Sequence, residues 1–352
     1  MKVLMKGNEA LAEAAISAGC HHFFGYPITP QTEVAAYMSK RMPKLGGTYL
    51  QAESEVAAIN MVLGAAAAGV RTMTSSSSPG ISLKAEGISY MAGSDVPALI
   101  INVQRGGPGL GGIQPSQADY WQATKATGHG DFQILVYAPS TVQEMVDMVS
   151  TAFDTADKYR IPAMILADGM LGQMMEPVEL PDVSDRKMID KPWAVDGHKN
   201  ERKHNVVNSL YLTPNALEDL VVERYERYEI IKKNEQLAEE YLTDDADIVL
   251  VAYGASSRVA RSAVNKVRED GIKAGLVRPT SLWPFPVDAI KRAAKGAKEM
   301  LVVEMRMGQM VDDVKLAVEC SLPVHFYGRT GGMIPSPAEV IKKIEEINSN
   351  LK

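Results

Sequence analysis

The stretch His22-Phe-Phe-Gly-Tyr-Pro-Ile-Thr-Pro30 decides the reading of this chain. The apolar run 22–24 ends at Gly25, and an amphipathic run follows at 32–38. That order predicts a strand, a tight turn and a helix. Pro27 and Pro30 fix φ at about −65° on either side of Ile28 and Thr29. Each also disfavours the α region for the residue before it, Tyr26 or Thr29. Thr29 is thereby held extended at the C-terminal end of a strand, where open α/β sheets bind ligands. Pro30 is placed to open the next helix. The plainer use of Thr29 is as a cap for that helix.

Working outward, strand-length apolar runs recur at 70–74, 97–103, 133–137 and 162–167. Helical patterns fill 53–69, 81–92, 116–127 and 141–158, and a first helix is expected at 8–18 with Asn8 as its N-cap. Alternating strands and helices predict βαβ units and a parallel sheet covered on both faces. This first domain spans 1–181. Lys, Asp, Asn and His then dominate 182–217, the texture of a long surface connection or an arm over a partner chain. A charged amphipathic pattern at 218–242 reads as one long helix, so 182–245 form a linker arm and helix. A second α/β domain, 246–352, has strands at 248–252, 274–277, 300–304 and 324–327. Helices are expected there at 256–269, 287–296, 308–318 and 337–348.

The 352 residues suffice for two domains. At 46% hydrophobic and 23% charged, the composition is that of an ordinary globular protein. A net charge of −6 without a long basic run argues against a nucleic-acid partner. No apolar run reaches the ~18 residues that span a bilayer. The N-terminus lacks a secretory apolar region, which points to the cytosol. Cys20 and Cys320 are the only cysteines, too few to ligate an iron–sulfur cluster within this chain. The adjacent His21 and His22 would point to opposite faces of a strand, against a shared metal.

Three stretches can carry chemistry. Glu55 opens a segment with no further charge until Arg71. A helix apolar all round is buried, and Gly64 with its neighbouring alanines suits close approach by a helix of another subunit. A carboxylate in that first turn sits where it can share a proton with a ring nitrogen. Its plainer use is to complement the helix dipole, for ~0.3–1 kcal/mol. The run Thr74-Ser-Ser-Ser-Ser-Pro-Gly80 offers hydroxyls and free N–H groups to a polar ligand. It is not a P-loop, since no Gly-Lys-Ser/Thr follows, and it can equally be a capped polar loop. Arg105-Gly-Gly-Pro-Gly-Leu-Gly-Gly112 contains a lone G-x-G-x-x-G, but Pro108 falls inside it and Gln114-Pro115 delay the helix. It reads as a Gly-rich loop carrying Arg105, which either forks a substrate carboxylate or pairs structurally with Asp119. In the second domain, Arg278-Pro-Thr-Ser-Leu-Trp-Pro-Phe-Pro286 reads as a rigid packing or interface loop, and Glu304 to Met310 as a charged strand-to-helix turn.

Together these stretches resemble the α subunit of 2-oxoacid:ferredoxin oxidoreductases over nearly the whole chain. The resemblance rests on Tyr26-Pro-Ile-Thr-Pro30, Glu55 before an Ala/Gly helix, Thr74 to Gly80, Gln104-Arg-Gly-Gly-Pro108 and Leu282-Trp-Pro-Phe-Pro286. The wording of Glu304 to Met310 looks most like the branched-chain member, acting on 3-methyl-2-oxobutanoate. The resemblance implies an α/β fold: a pyrimidine-type thiamine-diphosphate domain with a parallel sheet, then a transketolase C-terminal-like domain. It implies thiamine diphosphate shared with a β subunit that carries the diphosphate- and Mg²⁺-binding domain. Iron–sulfur clusters would sit on other subunits, a γ and a ferredoxin-like chain among them, with ferredoxin and coenzyme A as further partners. Glu55 matches the glutamate that hydrogen-bonds the aminopyrimidine nitrogen and favours the imino tautomer, which activates the thiazolium carbon. Thr29 and Arg105 match substrate-binding residues, Arg105 holding the carboxylate. Tyr26, Pro27, Ser76 and Ser77 match the surroundings of the cofactor. No ligand set for a metal is implied on this chain.

Overall fold

The computed structural model describes residues 2–125, 127–181 and 188–351. The strands of the first half are β1 (Val3–Lys6), β2 (His22–Gly25), β3 (Thr48–Gln51), β4 (Thr72–Ser76), β5 (Leu99–Gln104), β6 (Leu135–Tyr137), β7 (Ala163–Asp168) and β8 (Met175–Val178). Those of the second half are β9 (Ala238–Tyr241), β10 (Ile248–Val251), β11 (Ala274–Pro279), β12 (Ser281–Trp283), β13 (Glu299–Glu304) and β14 (Val324–Gly328).

The larger sheet has the order β12-β6-β7-β5-β4-β2-β3. All neighbours in it are parallel except β12, which pairs antiparallel with β6. Every residue of β4, β5 and β7 is buried, as expected where helices cover both faces of a sheet. Ile100, Ile101, Val103, Met164 and Ile165 form its centre. In β5 and β7 polar residues enter only toward the C-terminal ends, and there Ser76 of β4 lies beside Asn102 and Gln104 beside Asp168. The smaller sheet has the order β14-β13-β10-β11-β9, with β9 as an antiparallel edge.

The structure departs from the sequence expectations at several points. The helix expected at 218–242 is Pro214–Asn234, and Ala238–Tyr241 instead joins the second sheet. The loop after β11 crosses back to give β12 to the first sheet, so strands link the two halves on both sides of residue 246. The helix expected at 116–127 shrinks to Tyr120–Thr124, because Gln117 before it reaches into the second half instead. Residues 188–213 hold no helix or strand, in keeping with a long connection, and Val195 N–H donates to Ala67 O at 2.9 Å. Residues 182–187 of that arm fall outside the described residues.

Asn8 does not cap a helix. It lies inside Gly7–Ser17, and its amide donates to Pro30 O at 2.8 Å and Glu33 Oε2 at 2.9 Å. Pro30 does not open the next helix, which runs Thr32–Arg41 after a cis Thr29–Pro30 bond. The helix Glu55–Ala67 is capped by Ser54, whose hydroxyl accepts from Ala57 N at 3.2 Å. It is not buried all round. Glu55, Ala58, Ile59, Val62 and Ala66 face inward, while Val56, Asn60 and Gly64 form an exposed stripe at four-residue spacing. Among the described residues, no helix is long and apolar enough to cross a membrane.

Candidate functional site

The C-terminal ends of β2, β4 and β5 bring three sequence stretches together. Gln31 joins the first two. Ser75 Oγ donates to Gln31 Oε1 at 2.5 Å, and Gln31 Nε2 donates to Tyr26 O at 3.3 Å. Arg105 joins the first and third. Its Nη1 donates to Thr29 O at 3.0 Å and its Nη2 to Leu110 O at 3.1 Å, while Nε is buried without a partner. Arg105 therefore makes no ion pair with Asp119, and its terminal nitrogens brace the two loops that frame the site.

Asp119 serves the serine loop. Its Oδ2 accepts from Ser78 Oγ at 2.6 Å and from Asn102 Nδ2 at 2.9 Å, and Ser78 Oγ in turn accepts from Arg105 N at 3.0 Å. Burial pushes the Asp119 carboxyl above its usual range, against those hydrogen bonds and the charges of Arg306 and Arg105. The loop Ser76–Ser78 is thus held from both sides.

Glu55 lies against this loop and is only 6% exposed. A Cβ added to Gly80 would stand 2.8 Å from Glu55 Oε1 and 2.1 Å from Ser76 Oγ. Glycine at 80 is what lets the carboxylate, the serine and the helix Pro79–Gly93 meet. Around them the hydroxyls of Thr74, Ser76 and Ser77 are buried without hydrogen-bond partners. Buried polar groups are normally satisfied. A carboxylate beside three orphan hydroxyls fits the polar edge of a heterocyclic ligand, with Glu55 able to take or return a proton.

Thr29 is exposed and lines a cleft of about 720 Å³. Its wall includes Pro30, Glu33, Ile113, Pro115, Met170, Met174 and, from the second half, Gly332 and Ile334. Burial opposes ionisation of Glu33, but hydrogen bonds from Gln173 and Asn8, with the charge of Lys6, outweigh it and hold the carboxyl below its usual range. Tyr26 is half-buried and enters the network through its carbonyl, while Pro27 is exposed. Sequence reasoning brought out Glu55, Thr29, Arg105 and the serines. It named Asp119 only as a partner for Arg105, and it missed Gln31, Asn102 and Lys84, whose surroundings are distant in sequence.

The second half closes on the same loops. Gln117 Nε2 donates to Tyr253 O at 2.8 Å, and its Oε1 accepts from Ser256 Oγ at 2.7 Å and Met305 N at 3.1 Å. The fully buried Arg306 donates to Glu304, to Gln117 O and, at 2.8 Å, to Tyr253 Oη. Asp168, at the end of β7, accepts from Ala255 N at 3.1 Å.

Comparison with known proteins matches this architecture. Residues 13–241 match the thiamine-diphosphate-binding domain of pyruvate flavodoxin/ferredoxin oxidoreductase, and residues 246–340 match pyruvate:ferredoxin oxidoreductase core domain II. The chain is 49% identical to ketoisovalerate oxidoreductase subunit VorB of Methanothermobacter marburgensis, covering 98% of this chain and 97% of the relative. It is 36% identical to 2-oxoglutarate synthase subunit KorA of the same organism, covering 97% of each. Among solved structures, 2-oxoglutarate:ferredoxin oxidoreductase from Magnetococcus marinus, with 2-oxoglutarate, coenzyme A and succinyl-CoA bound, superposes with a TM-score of 0.88 at 27% identity. That match covers 98% of this chain and 65% of the Magnetococcus chain. With its two halves matched in order, the chain belongs to the pyruvate flavodoxin/ferredoxin oxidoreductase family, as a 2-oxoacid:ferredoxin oxidoreductase subunit carrying the thiamine-diphosphate-binding domain and core domain II.

Proposed function

We propose that this chain is the α-type subunit of an enzyme that oxidatively decarboxylates a branched-chain 2-oxoacid, 3-methyl-2-oxobutanoate, to its acyl-CoA with reduction of ferredoxin. The observation that carries the reading is Glu55, buried at Gly80 among the unpartnered hydroxyls of Thr74, Ser76 and Ser77. These residues would hold the aminopyrimidine side of thiamine diphosphate. When bound, that cofactor supplies the nucleophile and the electron sink for cleaving the bond between the carbonyl and carboxylate carbons. Glu55 holds or moves the proton at the ring nitrogen. Ser76 and Ser77 orient the ring edge, Tyr26 and Pro27 flank it, and Arg105 and Thr29 bind the substrate's carboxylate end. A β-type partner would carry the diphosphate and Mg²⁺ site, and further subunits the iron–sulfur clusters. The exposed Val56, Asn60 and Gly64 stripe suits the β-type partner, since a Cβ at Gly64 meets nothing within 4 Å. The domains would divide as 1–181, 182–245 and 246–352, and the complex would work in the cytosol.

The branched substrate is favoured over 2-oxoglutarate by the lining of the cleft at Thr29. Ile113, Met170, Met174 and Ile334 suit an apolar side chain, and the ionised Glu33 repels a second carboxylate. The test is ferredoxin or methyl viologen reduction by the chain co-purified with its native partners, given coenzyme A and each of three 2-oxoacids. Turnover should be clearly highest with 3-methyl-2-oxobutanoate. A preference for 2-oxoglutarate or pyruvate would overturn the substrate assignment and leave the mechanism. A complex loaded with thiamine diphosphate and iron that reduces nothing would point to a transferase or a silent subunit.

Gly80→Ala gives a second check. Overpacking of this kind costs ~1–3 kcal/mol, spent where Glu55 and Ser76 meet. Thiamine diphosphate affinity of the assembled complex, measured by equilibrium dialysis, should fall by about tenfold or more. Wild-type affinity in this variant would remove Gly80 and its neighbours from the cofactor site.

A further inference from the structure

Lys84 has no part in the roles assigned above. It is fully buried, and its ammonium has no hydrogen-bond partner. Lysine is almost never fully buried unless paired. Helical spacing shows where it points. Gly80, Lys84 and Gly87 are four and three residues apart on the helix Pro79–Gly93 and share one face. Both glycines abut the helix Glu55–Ala67. A Cβ at Gly80 would stand 2.8 Å from Glu55 Oε1, and one at Gly87 would stand 2.5 Å from Ile59 Cγ2. Lys84 is therefore the middle residue of a seam between two helices. Long helical side chains lean toward the N-terminus of their own helix. That direction carries Lys84 back to the turn of Gly80, where the Glu55 carboxylate lies.

The electrostatics have the same shape. Burial brings the Lys84 ammonium down to about 8, and the charge of Glu55 opposes that fall. The other charges on these elements lie elsewhere. Glu53 is exposed, and Glu86 is exposed and bonded to Tyr90. From β4 the seam receives only the uncharged hydroxyls of Thr74 and Ser76. Asp119 is bonded to Ser78, and the Arg105 guanidinium is turned to Thr29 O and Leu110 O.

We propose that Lys84 is a positioning residue of this reaction: its buried charge, set against Glu55 across the seam, keeps Glu55 ionised as the cofactor ring docks. The proposal rests on the cofactor-binding reading of Glu55. An ionised carboxylate would accept a hydrogen bond from a ring nitrogen that has taken up a proton from solvent, so that the ring rather than Glu55 carries it. An opposite charge close to a carboxylate typically moves its protonation by about 1–3 pH units.

The test is a double-mutant cycle on thiamine diphosphate affinity, measured by equilibrium dialysis with Mg²⁺ on the assembled apo-complex from mildly acidic to neutral pH. The corners are wild type, Lys84→Met, Glu55→Gln and the double variant. Lys84→Met should move the acid limb of binding upward by about one pH unit and should have no such effect in the Glu55→Gln background. Lys84→Arg, which keeps the charge, should keep the wild-type limb. If Lys84→Met does not assemble, Lys84→Gln removes the charge with a polar end and reads the same limb. An unmoved acid limb, or a loss of equal size in both backgrounds, would reduce Lys84 to packing. Should Glu55→Gln itself bind like wild type, the reading of Glu55 falls, and the role of Lys84 with it.

Discussion

Glu55→Gln is expected to lower turnover of the assembled enzyme by about 10²–10⁴-fold, the usual contribution of a positioned proton-transfer group. The complex should still form. The cap of the helix Glu55–Ala67 is Ser54, not Glu55, and among the described residues no hydrogen bond of the fold uses the Glu55 carboxylate. Glutamine keeps the shape that fits against Gly80 and loses only the ability to take up a proton. The competing account, in which Glu55 merely complements the helix dipole, predicts a different pattern. It would cost ~0.3–1 kcal/mol of stability and leave turnover alone. Steady-state reduction of ferredoxin and thermal unfolding, measured on the same preparation, therefore separate the two. Unchanged turnover would make this chain a silent shaping subunit and would withdraw the proposed proton transfer.

Much of the first sheet was legible because parallel strands buried on both faces are continuous apolar runs, as at Leu99–Val103 and Ala163–Ala167. β12 was not legible. Three residues between prolines give no period, and their partner β6 lies in the other half of the chain. β9 was read as the end of a helix because Ala238-Glu-Glu-Tyr carries helix-forming residues, and only pairing with β11 makes it a strand. The site followed the same division. Glu55 stood out as the last charge before a run of small apolar residues. The contact of Arg105 with Thr29 O joins positions 76 residues apart, which no local pattern reports. Lys84 and Asn102 sit where the runs looked apolar enough to be core, and their polarity has meaning only beside Glu55 and Asp119. The identity of the candidate acid–base group was thus readable, while its supporting shell depended on the fold.

The second large effect is expected away from the cofactor, at the contact between the two halves. Arg306 and Glu304 are a fully buried ion pair. Glu304 is further held by N–H groups of Met310 at 3.2 Å and Val311 at 3.1 Å, at the start of the helix Met310–Ala317. Arg306 spans the contact through Gln117 O and Tyr253 Oη, and its guanidinium lies 4.5 Å from the Tyr120 ring centre. Glu304→Gln leaves the arginine charge buried and uncompensated. Breaking a buried pair in this way typically costs ~3–5 kcal/mol. Removing both charges costs much less when the volume is refilled, so Glu304→Gln combined with Arg306→Met should recover much of the loss in denaturant unfolding. Function should respond as well. Gln117 lies two residues from Asp119, and Asp119 holds Ser78 and Asn102 beside the candidate cofactor pocket. Arg306 is also one of the charges that favour the ionised form of Asp119. Arg306→Met alone should therefore weaken thiamine diphosphate binding as well as stability, although its side chain touches neither Glu55 nor the serine loop. Equal stability of Glu304→Gln and wild type would mean that the buried pair is not what joins the two halves. A destabilised Arg306→Met complex with wild-type cofactor affinity would mean that Asp119 is fixed by Ser78 and Asn102 alone.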